Sequence, residues 1–95
     1  MTRQRRTLLE HRTSLDPATV LGAAREFFTR RNSLYAAFIE QESPTHVTMR
    51  GQGGEELVIA ATPSSGGTLV TGSSYLFDAQ ISRFFAMLPP AEVQS

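Results

Sequence analysis

His46 stands close behind Glu40 and Glu42, separated from them by the turn-forming segment Ser43-Pro44-Thr45. Imidazole and carboxylate on neighbouring strands can share a cation or a proton, so this trio is the first place to look for metal binding or acid–base chemistry. Further ligands are missing: His11 is remote in sequence, the chain has no cysteine, and Glu42 borders a turn where charge is expected anyway. The expectation is a solvated cross-strand Glu42–His46 pair, with no metal and no cofactor.

Arg50 and Glu55 flank the loop Gly51-Gln52-Gly53-Gly54. They are expected to form a rim ion pair, a contact that contributes about 0 to 1 kcal/mol at a surface. The loop contains Gly-x-Gly, but it joins two strands instead of opening a helix, and so lacks the dipole that draws phosphate to such loops. Ser64, Ser65, Ser73 and Ser74 read as turn and cap residues, with no histidine near in sequence to activate any of them. Catalysis by this chain alone is not expected.

A third group is basic. Arg3, Arg5, Arg6 and Arg12 face only Glu10 within residues 1–15, a segment expected to be an N-terminal arm, mobile or locally ordered, ahead of a domain at 16–90 and a short tail at 91–95. Such an arm can neutralise phosphates, which makes nucleic-acid binding one reading of function. The whole chain balances nine arginines against nine acidic residues, so no one-signed field steers it toward nucleic acid or an anionic membrane.

These groups must be held by a single core, because 95 residues are too few for two. The longest apolar run, residues 57–61, is far short of a membrane span, and the basic start leads into polar chain. A cytoplasmic protein with no membrane partner is the expectation.

The elements follow from periodicity. Asp16 is placed as N-cap and Pro17 at the first helical position, and Val20, Leu21, Ala24, Phe27 and Phe28 make one apolar stripe, predicting a helix over 17–31. Strands are expected at 34–42, 46–50, 55–62 and 68–74, separated by turn chemistry. Phe77, Ile81, Phe84, Phe85 and Leu88 form a second helical stripe, which Pro89-Pro90 stops. The fold class is therefore α+β: a two-layer α-β-β-β-β-α chain whose four-stranded antiparallel meander carries both helices on one face.

Pairing Glu42 with His46, Arg50 with Glu55 and Ala61 with Leu69 sorts the strand residues onto two faces. One is small and apolar, with Val47, Met49, Val58, Ala60 and Val70, and suits the helices. The other leaves Leu34, Phe38, Leu57, Ile59 and Leu69 uncovered among His46, Arg50 and Glu42, a larger apolar patch than soluble monomers usually show. The first strand, at the edge, has no Lys, Pro or bulge to deter pairing. A small non-enzymatic homodimeric binding module, or one that docks another protein, is the leading expectation. A sheet-and-helix cavity that carries or transforms a small apolar ligand is a further alternative.

Overall fold

The computed structural model describes residues 7–31, 37–51, 54–74 and 78–90. Its elements are β1 (Thr7–Thr13), α1 (Pro17–Glu26), β2 (Phe38–Glu42), β3 (His46–Arg50), β4 (Glu56–Ser64), β5 (Gly67–Ser74) and α2 (Asp78–Met87). The strands form one antiparallel sheet in the order β1-β5-β4-β3-β2. The fold is α+β as expected, with five strands instead of four.

The additional strand comes from the segment read as an arm. Thr7–Thr13 pairs along its full length with β5, from Thr7 opposite Ser74 to Thr13 opposite Thr68. Leu9, His11 and Thr13 turn toward the helices, while Leu8, Glu10 and Arg12 turn away, as alternation requires. The His11 ring stacks on Phe85 of α2 at a centroid distance of 5.3 Å, and Thr13 is fully buried. Arg3, Arg5 and Arg6 lie outside the described residues, as do Leu34, Phe77 and the tail at 91–95.

Helix α1 starts where its cap dictates. The Asp16 carboxylate accepts from the Thr19 backbone N–H at 3.2 Å and from the Thr19 hydroxyl at 2.5 Å, and Pro17 follows at the first helical position. These bonds to Thr19 hold the Asp16 carboxyl below its ordinary value. From Phe27 to Arg31 the helix widens to π geometry. The Thr29 hydroxyl donates to the Arg25 carbonyl oxygen here, a side-chain bond that competes with the α-helical ladder. Both Phe27 and Phe28 are buried in this widened turn, packed edge to face at 4.9 Å.

Both helices pack on one face of the sheet. Val20, Phe28, Ile81 and Phe84 meet Val47, Met49, Leu57, Ile59 and Val70, all fully buried. Glycine lets the layers close. A Cβ on Gly72 would lie 2.7 Å from Ile81 Cγ2, leaving no room between α2 and β5 at that point. At the β4–β5 turn, Gly66 has φ 76° and Gly67 φ 151°, and a Cβ on Gly67 would fall 1.9 Å from the Thr13 carbonyl oxygen. Pro63 belongs to β4 and pairs with Thr68 beyond the end of β3, where no third strand asks for its missing N–H.

The register of β4 corrects the expected division of faces. Arg50 lies opposite Glu56, not Glu55, and Ala61 opposite Val70, not Leu69. A slip of one residue exchanges the two sides of a strand. Leu57 and Ile59, expected on the open face, are therefore fully buried against the helices, and Val58 and Ala60 take their place on the open side.

Candidate functional site

The face away from the helices, which no other described element covers, can be laid out as rows of cross-strand neighbours. One row runs Glu10, Thr71, Ala60 and His46 across β1, β5, β4 and β3. The next runs Leu8, Ser73, Val58, Thr48 and Gln41 and contains no charge, with Leu8 and Gln41 exposed, Ser73 and Val58 half-buried and Thr48 buried. Arg12, Leu69 and Thr62 lie on one side of these two rows, and Glu56, Arg50 and Phe38 on the other. The middle of the face is thus small and uncharged, while charges sit toward its ends and corners. Of the residues expected to form an interface, Phe38 and Leu69 are here. Phe38 is 55% exposed beside Arg50 at the β2 edge, and Leu69 is half-buried near the β1 edge.

A bulge in β2 takes apart the expected His46–Glu42–Glu40 trio. Ile39 pairs with Met49, but the next partner, Thr48, belongs to Gln41, so Glu40 is the extra residue. In an unbroken strand Glu40 and Glu42 would share a face. Here Glu40 joins Arg50 on the open side, with Nε to Oε2 at 2.9 Å and Nη2 to Oε1 at 3.0 Å. Glu42 turns to the helical side and takes Arg25 of α1, Nη1 to Oε1 at 3.1 Å. The two hydrogen bonds from Arg50 hold the Glu40 carboxyl below its ordinary value and raise the guanidinium in turn.

Arg50 thereby leaves the partner expected for it. Besides Glu40 it donates from Nη1 to the Gly54 carbonyl oxygen at 2.8 Å, bracing the glycine loop from the side. The Gly51 N–H donates to the Glu55 carbonyl oxygen and the Gly54 N–H to that of Gly51, so these amides close a hairpin and do not point to an anion. Gln52 and Gly53, at the centre of the loop, lie outside the described residues.

Among the described residues, His46 keeps company with Ser43. The Ser43 hydroxyl accepts from the backbone N–H groups of Thr45 at 3.2 Å and His46 at 3.1 Å, and stands 2.7 Å from His46 Nδ1. With two amides donating to it, the Ser43 hydroxyl has one proton to give, to Nδ1 at 2.7 Å or to the Thr45 hydroxyl at 3.3 Å, and the shorter contact assigns it to Nδ1. That places the imidazole proton on Nε2 and leaves the serine coordinated on every side, a turn lock with no free lone pair for attack on a substrate. A shallow hollow of about 220 Å³ beside this turn is lined by Ala18, Leu21, Arg25, Ser43 and Pro44. Among the described residues, no three His, Asp or Glu side chains gather as a metal site.

Both sheet edges carry obstacles to a further strand. β2 has the bulge and two glutamates, contrary to the expectation of an unprotected edge, and β1 is bridged at Thr13 by Pro90. Among the described residues, the middle of the open face carries no bulge, proline or charge. Sequence reasoning missed Glu10, Val58 and Ala60 as residues of this sheet face because the first lies in a segment read as an arm outside the sheet and the others in an apolar run with no alternation to read.

No helix of the described residues is long and apolar enough to cross a membrane. The chain matches no family model and no curated protein. Its fold is similar to the X-ray crystal structure of a Staphylococcus saprophyticus protein, a target of the Northeast structural genomics consortium, with a TM-score of 0.54 at 14% identity over 86% of this chain and 79% of that one.

Proposed function

We propose that this chain is a small non-enzymatic interaction module that self-associates through its uncovered sheet face. The observation that carries this reading is the one-sided cover: both helices pack on the same side, and the opposite side presents Leu8, Val58, Ala60, Leu69 and Phe38 among threonines and serines. An uncharged centre ringed by Glu10, Arg12, Glu40, Arg50 and Glu56 is the anatomy of an interface, in which charge is depleted at the core and kept at the rim. The bulged and bridged edges favour stacking of faces over pairing of edges.

The other readings draw less support from the geometry. Phe38 is the one aromatic side chain on the open face among the described residues, which gives bases no row of rings to stack on. A ligand between sheet and helices would have to part α2 from β5 where Ile81 touches Gly72. The test is a charge placed in the middle of the face. Val58→Asp should give a folded monomer from an associated wild-type protein, read by circular dichroism and sedimentation. A folded Val58→Asp protein that associates as tightly as wild type overturns the reading.

A further inference from the structure

The row Glu10, Thr71, Ala60, His46 has an acid at one end, an imidazole at the other, and two small side chains between. Its midpoint falls between β5 and β4. Turned over about an axis along the strands at that midpoint, the row lands on itself with acid against imidazole and Thr71 against Ala60. The neighbouring row sets Leu8 against Thr48 and Ser73 against Val58. An axis across the strands does worse, since it lays Glu10 of one copy on Glu10 or on Leu8 of the other.

Hydrogen bonding makes the match chemical. The short Ser43–Nδ1 contact, with two amides already donating to that hydroxyl, assigns its proton to Nδ1 over the more distant Thr45 hydroxyl, and so assigns the imidazole hydrogen to Nε2 as a donor. Glu10 is exposed on β1, and its carboxylate is an acceptor directed away from the helices. Facing sheets pack about 10 Å apart, a gap that a glutamate and a histidine reaching from opposite sides can close.

Resting on the reading that the open face self-associates, we propose that a second copy stacks on it about a two-fold axis parallel to the strands between β4 and β5, with His46 Nε2–H of each copy donating to the Glu10 carboxylate of the other. The contact occurs twice per dimer, as two-fold symmetry demands. It fixes which way round the faces meet, because this orientation gives the carboxylate and the imidazole at the two ends of the row a partner each.

The cysteine-free chain allows a direct test. Glu10→Cys and His46→Cys proteins, each checked for wild-type circular dichroism and sedimentation, are mixed and treated with a short bismaleimide spanning about 8 to 10 Å, because facing sheets stand too far apart for a direct disulfide. A cross-linked dimer should form in the mixture and not in either protein alone. Self-cross-linking of the Glu10→Cys protein, or no cross-link in a mixture that sediments as dimer, overturns the orientation while leaving self-association standing. A wild-type chain that sediments as monomer defeats both. Charge exchange supplies the independent arm: Glu10→Lys should weaken association about tenfold or more, and adding His46→Glu should restore it. A double variant as weak as the two single losses combined also overturns the pairing.

Discussion

Ile81 of α2 rests on the backbone of Gly72 in β5, so near that a Cβ there would meet its Cγ2 at 2.7 Å and its Cδ1 at 3.2 Å. The opposing atoms belong to a side chain that can shorten. Gly72→Ala should therefore cost about 1 to 3 kcal/mol through overpacking, and Ile81→Val should recover part of that cost in the double variant. Denaturant unfolding of the three proteins measures the coupling, and strict additivity would contradict the contact.

At Gly67 the obstacle is the backbone of β1, which has no rotamer to change. A Cβ would lie 1.9 Å from the Thr13 carbonyl oxygen, at a φ of 151° that side chains rarely adopt. Gly67→Ala should cost more than about 3 kcal/mol, visible as a lower midpoint in thermal unfolding. A stability equal to that of wild type would show that β1 does not run past this turn.

Removing β1 should have a larger effect. The strand pairs with β5 from end to end and supplies Leu9 and the buried Thr13 to the helical side. A chain lacking residues 1–12 is expected to lose cooperative unfolding, the reverse of what an arm without apolar periodicity implies. Retention of a sharp thermal transition would return these residues to the status of an arm.

Much of the architecture was legible because the local signals agreed. Asp16-Pro17 marked the start of α1, the alternation of Val47 and Met49 with polar residues marked both the bounds and the faces of β3, and Pro89-Pro90 marked the end of α2. β1 was not legible: its inward residues are Leu9, His11 and Thr13, and its partner strand lies at the far end of the chain, joined by no turn. β4 was legible as a strand, but its two faces were not. Leu57 to Ala61 is apolar on both sides, so only the pairing with β3 decides its faces, and the glycine loop allowed Glu55 or Glu56 opposite Arg50. The same kind of slip, a bulge at Glu40, separated two glutamates that an unbroken strand would have aimed together at His46.

That register has a sharp mutational consequence. Leu57→Asp puts a carboxylate into the fully buried core and should abolish folding, whereas Leu69→Asp, on the open face, should leave the circular dichroism spectrum unchanged. A folded Leu57→Asp protein would restore the pairing of Arg50 with Glu55, which leaves Leu57 and Leu69 together on the open face.

Acid should act on the Glu40–Arg50 pair. The folded carboxyl titrates below its unfolded value, so the pair's contribution is present above the ordinary carboxylate range and is lost as pH falls through the lowered folded value. Carboxyl chemical shifts followed by NMR should show Glu40 titrating below an ordinary glutamate, and Arg50→Ala should bring it back. A Glu40 that titrates normally in the wild-type protein would contradict the paired geometry.

The most direct test of the account is the mass of the protein in solution. Sedimentation equilibrium of the wild-type chain at micromolar concentration should give twice the 10.4 kDa chain mass, and the folded Leu69→Asp protein should give the chain mass alone. A wild-type protein that stays at 10.4 kDa throughout would contradict self-association through the uncovered face.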